Sequence, residues 1–252
     1  MYDNIRLLKS IGCESLAIVG DKLALTGQGI FLPTATTAYL LRASLKLISN
    51  EEKILDLGCG SGVIGLEIAT RYADHRRIYM SDLSQQACAA SQSNAEILKL
   101  KNVTVKNGSM FEPWDNEKFD VIISDVSGVS TSAPVSKIWF DGIPQDSGQD
   151  GLKLTSEVLV SARRYLRNQN SFVLLPLISL ANQKIFWRTL ENAGWSHETV
   201  SEHKWKLVIK SVQEKEKMLE LKKEGNIQFE IEDEYYTCFT KILKISPPIE
   251  TE

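Results

Sequence analysis

Three glycines at alternate positions follow a short apolar run early in the chain. Residues 54–57 read Ile-Leu-Asp-Leu, and Gly58, Gly60 and Gly62 come directly after them, before a helical pattern. Glycine is needed where the backbone turns sharply and where a ligand must approach the main chain closely. A buried strand, a glycine loop and a helix form the crevice in which open α/β sheets bind nucleotides. The pattern therefore predicts a nucleotide-binding loop rather than a plain tight turn.

Two carboxylates accompany this loop. Asp56 lies two residues before the first glycine, and Asp82 follows the next short apolar strand. A carboxylate at that strand end can accept hydrogen bonds from both hydroxyls of a ribose. Asp82 would alternatively cap the following helix, but Ser84 is better placed for capping. The separation between the glycine loop and Asp82 favours ribose binding.

A dinucleotide is the alternative ligand. Residues 60–65 read Gly-Ser-Gly-Val-Ile-Gly and satisfy the GxGxxG fingerprint of nicotinamide cofactors. Two observations disfavour that ligand. Asp56 precedes the loop, and Gly58 already ends the strand, so the fingerprint begins two residues late.

Residues 56–62 and Asp82 together resemble the class I methyltransferases, which use S-adenosylmethionine (AdoMet) as methyl donor. The resemblance implies that residues 56–62 line the methionine part of AdoMet and that Asp82 binds its ribose. It also implies an enzyme, with AdoMet as its cofactor.

A closer resemblance covers roughly residues 27–193 and is to the release-factor glutamine methyltransferases. It is carried by Gly-Ile-Phe-Leu-Pro at 29–33, Gly-Ser-Met-Phe-Glu-Pro at 108–113 and the apolar strand at 119–124. The loop and this resemblance together predict a set of cofactor-binding residues: Phe31, Thr37, Asp56, Gly58, Cys59, Gly60, Gly62, Asp82, Leu83, Ser109, Met110 and Phe111.

The sequence departs from that family at the motif that holds the methyl acceptor. Where the family has Asn-Pro-Pro-Tyr, residues 125–128 read Asp-Val-Ser-Gly, and Ser109 stands where the family often has aspartate. In the family, the asparagine and first proline hold the target nitrogen and the tyrosine packs on its planar group. Asp125 is therefore predicted to be the catalytic residue, as an orienter or base, with a solvated turn residue as the alternative.

These departures shape the expected acceptor. We expect methyl transfer to an oxygen or nitrogen of a small molecule or peptide, and not to a release factor's glutamine amide. A protein (glutamine-type) or nucleic-acid N-methyltransferase is the alternative. A binding module that keeps AdoMet without catalysis is the third reading.

The elements that must position these residues alternate between strand and helix from residue 54 to residue 192. This pattern predicts an α/β fold: a Rossmann-like, doubly wound, mostly parallel seven-stranded sheet with an antiparallel C-terminal strand pair. Long strands are predicted at 205–209 and 229–245, with a charged helix at 213–224 between them. Residues 1–30 are expected to form an N-terminal extension or small cap, and residues 31–252 the methyltransferase domain, with a helical insertion at about 211–225.

Residues 126–150 are predicted to be an irregular loop. Trp139 and Phe140 within it either wall a substrate pocket or seal the loop as core aromatics. The loop and the 213–224 helix are expected to enclose the acceptor. His197 and His203 lie outside the resemblance and are expected to be structural or solvated.

Composition restricts the class further. The net charge of -3 gives no basic excess, so a nucleic-acid partner is not expected. The four cysteines lack CxxC spacing and the three histidines complete no cluster, so no metal and no disulfide framework are expected. No membrane span or signal pattern is seen, and a cytoplasmic setting is expected.

Overall fold

The computed structural model describes residues 3–49, 51, 53–72, 76–143 and 146–248. Within them the chain forms one mixed sheet of eight strands. The strands are β1 Lys53–Leu57, β2 Arg77–Asp82, β3 Val103–Asn107, β4 Val121–Ser124, β5 Phe172–Ile178, β6 Ser196–Leu207, β7 Glu230–Glu232 and β8 Tyr235–Ser246. Their order is β3-β2-β1-β4-β5-β8-β6, and β7 pairs with β8. The five strands from β1 to β5 are parallel, whereas β8 runs antiparallel to β5 and β6. The predicted fold class is confirmed.

Nine α-helices occur in the described part of the chain. They are α1 Asn4–Ile11, α2 Glu14–Ala17, α3 Ala35–Leu47, α4 Val63–Arg71, α5 Gln85–Ile97, α6 Pro134–Trp139, α7 Lys153–Tyr165, α8 Gln183–Asn192 and α9 Val212–Lys223. Short 3-10 turns lie at Gly20–Lys22 and Glu112–Trp114.

The central strands are apolar on both faces because helices cover both sides of the sheet. Ile54 and Ile123 point into a core shared with α3 and α4, whereas Leu55 and Ile122 point into a core shared with α7 and α8. Neighbouring residues of a strand face opposite sides, so one apolar run serves both cores.

The C-terminal strands differ from the prediction. The segment 229–245 is not one strand, because a turn separates β7 from β8 and places Asp233 in the left-handed region with φ of 53°. This turn adds the eighth strand. It contains no glycine or proline, the residues that usually mark a turn in sequence. β6 also begins at Ser196, well before the predicted start at 205.

The N-terminal segment packs into the same core as α3 and α4, with Leu8 and Leu16 fully buried. Two buried polar side chains hydrogen-bond to the backbone of this N-terminal segment. The Glu67 carboxylate accepts hydrogen bonds from the Leu16 and Ser15 amides, at 3.2 and 3.3 Å. The side chain of Asn94 bonds both the amide and the carbonyl of Ala24 and also the carbonyl of Ser61 in the glycine loop.

The prediction of an irregular loop over residues 126–150 is wrong in one part, because α6 lies within it. Pro134 at the first helical position is a recognised start signal, since its fixed φ suits a helix and its missing N–H is not needed there. No helix of the described residues is long and apolar enough to cross a membrane.

Candidate functional site

A cleft of about 1340 Å³ opens where β1, β2 and β4 end. Adjacent parallel strands bring their carboxyl ends to the same edge of the sheet, and open α/β folds bind ligands outside that edge. Asp56 near the end of β1, Asp82 at the end of β2 and Asp125 just after β4 all line this cleft. Three residues distant in sequence thus form one acidic floor.

The glycine loop forms the near wall of the cleft. Gly60 has a φ of 55°, and a Cβ there would come no closer than 3.8 Å to another residue, so its backbone faces open space. Gly62 has a φ of 85° and does not line the cleft; a Cβ there would lie 2.6 Å from Met80. The missing side chain at Gly60 therefore leaves room for a ligand to approach the loop, while Gly62 permits close packing of α4 on the sheet.

Asp56 lies beneath this loop and is only 1% exposed. Its carboxylate accepts a hydrogen bond from the Gly65 amide at 2.9 Å. Burial, together with the smaller effect of the nearby charges of Asp125 and Asp82, raises the pKa of Asp56 to about 7, although the Gly65 hydrogen bond opposes the rise. The site therefore holds closely spaced negative charge that a cationic ligand would stabilise.

Asp82 braces the glycine loop from the neighbouring strand. One of its oxygens accepts from the Gly60 amide at 2.9 Å and the other from the Ser84 amide at 2.8 Å. A carboxylate has about four acceptor positions, so roughly two remain for a ligand. Ser84 is the N-cap of α5 and accepts from the Ala87 amide, as its position in the sequence predicts. Burial raises the pKa of Asp82, while backbone hydrogen bonds from Ser84, Gly60 and Leu83 oppose that rise.

Asp125 is held by the first turn of α3. The Thr37 hydroxyl donates to its carboxylate at 2.8 Å and itself accepts from the Thr34 amide at 3.1 Å. Burial raises the pKa of Asp125 to about 6, although the Thr37 hydrogen bond opposes the rise. Asp125 is therefore an oriented carboxylate that is mostly ionised near neutral pH, rather than a solvated turn residue.

Aromatic rings close the cleft from above. Phe31 stacks on Phe140 with centroids 5.1 Å apart and planes 17° from parallel. Trp139 lies 5.6 Å from Trp205 of β6. All four side chains line the cleft, so Trp139 and Phe140 form part of its wall.

The other predicted cofactor residues divide between the cleft and the core. Cys59, Leu83, Ser109 and Met110 line the cleft. Phe111 does not; its ring is buried and stacks on Tyr165 at 4.5 Å. Burial raises the pKa of the Cys59 thiol well above its usual range, so this thiol stays protonated.

Two lining residues come from β6, outside the segments that the sequence singles out as a site. His203 is only 8% exposed, and its ring stacks on Tyr39 with centroids 3.7 Å apart. Trp205 follows two positions later, on the same face of the strand. Side chains at alternate positions of a strand share a face, so this spacing could have placed both residues together, but the predicted strand starts only at 205.

Helix α9 does not enclose the cleft as expected. Among the described residues, none of α9 lines the cleft; its Met218 and Leu221 pack in a cluster with Val135 of α6.

Most charged side chains that line the cleft are acidic. The charged residues among its described lining are Asp56, Asp82, Asp125, Asp141, Asp146, Lys153 and Glu157. The one lysine in this set pairs with Asp146. No group of three or more potential metal ligands occurs in the described part of the chain.

Residues 34–125 match the family model of the methyltransferase small domain. Among curated proteins, the release factor glutamine methyltransferase of Thermodesulfovibrio yellowstonii is 31% identical over 157 residues, covering 59% of this chain and 56% of the relative. That of Geobacter sulfurreducens is 28% identical over 153 residues, covering 59% and 53%. The chain therefore spans only about half the length of these relatives.

Solved structures show the same fold. The precorrin-6y C5,15-methyltransferase of Geobacter metallireducens superposes with a TM-score of 0.55 at 14% identity, covering 90% of this chain and 95% of that one. The YcgJ protein of Bacillus subtilis gives 0.56 at 10% identity, covering 84% and 99%. The chain therefore shares the fold of these structures, and part of it matches the methyltransferase small domain. The small-domain match runs from the N-cap of α3 to Asp125.

Proposed function

We propose that this protein transfers a methyl group from AdoMet to an oxygen or nitrogen of a small molecule or peptide. The observation that carries the proposal is the joint placement of Asp56, Asp82 and Asp125 around the glycine loop in one cleft. AdoMet presents a ribose diol and a positively charged sulfonium. An acceptor-rich, negatively charged floor complements both.

The cleft residues fit AdoMet on their own chemistry. Asp82 keeps acceptor positions for two ribose hydroxyls, and Gly60, which has no side chain, leaves room for a ligand to approach the loop. Ser61 and Ser127 line the cleft, and their hydroxyl oxygens are buried without a hydrogen-bond partner among the described residues. Buried polar atoms are normally paired, so these are suited to a polar ligand. Leu83, whose side chain is exposed at the cleft, offers an apolar surface for a planar base.

AdoMet, when bound, supplies a methyl group activated by the positive charge on its sulfur. The protein must then place an acceptor atom in line with that methyl group and keep water out. Asp125 accepts a hydrogen bond from the acceptor's N–H or O–H and takes its proton where the acceptor must lose one. With a pKa of about 6, Asp125 is largely in the required ionised form at neutral pH.

The acceptor is expected to be neutral or cationic. Six of the seven charged residues in the described lining are acids, so a phosphate-bearing acceptor such as nucleic acid would be repelled. Asp125 is followed by Val126, Ser127 and Gly128, which offer no proline-shaped backbone and no aromatic ring to grip a planar amide.

The second candidate is methylation of a protein glutamine. It is favoured by the relatives, which are named release factor glutamine methyltransferases. In both candidates AdoMet occupies the same part of the cleft, and they differ only in what reaches Asp125.

One experiment separates these candidates. Purified protein and AdoMet with a labelled methyl group are incubated with a fractionated extract of the source cell and, separately, with a purified release factor. Label in the small-molecule or peptide fraction supports the proposal. Stoichiometric methylation of the release factor's glutamine would refute it in favour of the second candidate. AdoMet binding without any transfer would indicate a binding module, and absence of AdoMet binding by calorimetry would overturn the assignment altogether.

A further inference from the structure

His203 is a buried histidine whose two ring nitrogens have no hydrogen-bond partner among the described residues. It is 8% exposed and lines the cleft. Leaving a buried donor and acceptor unpaired is costly, so native proteins normally pair them with protein, water or ligand. A histidine retained in this state at the wall of a ligand cleft is suited to a partner that comes from outside the chain.

The ring of His203 is held in place. It stacks almost parallel on Tyr39, with centroids 3.7 Å apart and planes 10° from parallel. Tyr39 lies on α3, two residues after Thr37, which orients Asp125. The same helix turn therefore supports both Asp125 and His203, so their relative placement does not depend on a mobile loop.

The cleft wall beside His203 is formed by aromatic and apolar side chains. Trp205 follows on the same face of β6, and its indole N–H is already used by the Thr240 hydroxyl at 3.1 Å. Trp139 lies 5.6 Å from Trp205, and Ile178 also lines this end of the cleft. We call His203, Trp205, Trp139 and Ile178 the His203 subsite. In it, the described residues provide flat apolar walls and one polar group with a free donor and a free acceptor.

We propose that the His203 subsite binds the methyl acceptor, with the imidazole of His203 hydrogen-bonding a polar group on a flat, apolar-bodied molecule. This inference rests on the proposed function and names the class of its substrate: an aromatic or heteroaromatic compound bearing a hydroxyl or ring nitrogen. Burial lowers the pKa of His203, so the ring is neutral and presents one donor and one acceptor. His203 binds and orients the acceptor, while Asp125 contacts the reacting atom.

The test uses His203→Phe, which keeps a flat ring against Tyr39 but removes both nitrogens. His197→Phe is the matched control, because His197 lies on the same strand and is exposed. Three properties of each variant are measured: the melting temperature, AdoMet affinity by calorimetry, and labelled-methyl transfer to the small-molecule fraction of the cell extract. His203→Phe should lose about tenfold or more of the transfer, through a raised acceptor KM, while AdoMet affinity stays unchanged. His197→Phe should behave as the wild type.

The melting temperature distinguishes a histidine that binds the acceptor from one that only stabilises the fold. Because His203→Phe removes unpaired buried polar atoms, its melting temperature should equal or exceed that of the wild type. A clearly lower melting temperature with His203→Phe, or full transfer by this variant, would overturn the proposal. Loss of AdoMet binding in the wild type would instead defeat the proposed function.

A second measurement decides the matter even if no extract fraction is methylated. Nitrogen-15 spectra of the three histidine rings are recorded on the full chain with S-adenosylhomocysteine, before and after adding phenol. Phenol should shift the ring nitrogens of His203 and leave those of His197 unchanged. Benzene, which lacks the hydroxyl, should not shift them. Absence of any phenol-induced shift at His203 would contradict the subsite.

Discussion

Thr37 donates its hydroxyl hydrogen to the carboxylate of Asp125 at 2.8 Å, although 88 residues separate the two in sequence. This contact joins the first turn of α3 to the residue that follows β4, and it sets the direction of the carboxylate that we propose as orienter or base. It also stabilises the ionised form of Asp125, whose pKa burial alone would raise further.

Removing the Thr37 hydroxyl should raise the pKa of Asp125 above about 6, because the charged form loses a hydrogen bond. In Thr37→Val the methyl-transfer rate, followed against pH, should therefore reach its half-maximum at a higher pH than in the wild type. Thr37→Ser keeps the hydroxyl and is the control; its profile should overlay the wild type. Identical pH profiles for Thr37→Val and the wild type would show that the ionisation of Asp125 does not control the transfer rate.

Asp125→Asn should abolish most transfer and yet stabilise the fold at neutral pH. The folded-state pKa of about 6 lies above the ordinary value of 3.8. The folded protein therefore holds this proton more tightly than the unfolded chain, and stability is lost as pH rises from about 4 to about 6. A neutral amide does not ionise, so Asp125→Asn does not lose this stability as pH rises. Urea unfolding at about pH 8 should therefore show Asp125→Asn about 1–3 kcal/mol more stable than the wild type. A destabilised variant at that pH would contradict the proposed burial effect.

AdoMet binding should strengthen with pH more than binding of S-adenosylhomocysteine does. Burial raises the pKa of Asp56 to about 7 and that of Asp125 to about 6, so both lose protons between about pH 5 and pH 8. AdoMet carries the extra sulfonium charge, which attracts the ionised carboxylates. Calorimetry across this range should show the ratio of the two affinities rising with pH. A constant ratio would mean that the acids do not sense the sulfonium.

Asp82→Ala should weaken AdoMet binding by roughly 1–3 kcal/mol, because ribose hydroxyls would be buried without acceptors. The Gly60 and Ser84 amides would also lose their partner, so part of the effect comes from a looser glycine loop. Asp146→Ala is the control, since Asp146 lines the cleft but pairs with Lys153 at its exposed rim. Equal losses from the two variants would argue for general charge rather than ribose contact.

Phe31→Ala should weaken AdoMet binding without unfolding the domain, because Phe31 covers the cleft and stacks on Phe140. A double-mutant cycle with Phe140→Ala should give a coupling of about 0.5–1.5 kcal/mol in the free energy of binding, as for an aromatic pair. If the melting temperature falls while the affinity is unchanged, Phe31 is a core residue only.

Much of the fold was predictable because its signals are local. The apolar strands predicted at 54–57 and 119–124, the glycine loop and Ser84 at a helix start each depend on neighbouring residues; the structure has the two strands at Lys53–Leu57 and Val121–Ser124. The C-terminal hairpin was missed because its turn contains no glycine or proline. The place of the N-terminal segment was also beyond local reasoning, since its anchors Glu67 and Asn94 lie far along the chain.

The sequence by itself determined the carboxyl-end crevice, with its glycine loop and the strand-end acid Asp82, because strand, turn and helix signals follow one another along the chain. Only the tertiary structure decided that Thr37 orients Asp125, that His203 lines the same cleft and that Phe111 packs into the core against Tyr165. The physical reason is that these contacts join elements distant in sequence. Which side chains meet at the sheet edge depends on strand order, on the pairing of β6 with β8 and on the packing of α3, none of which is encoded in local spacing.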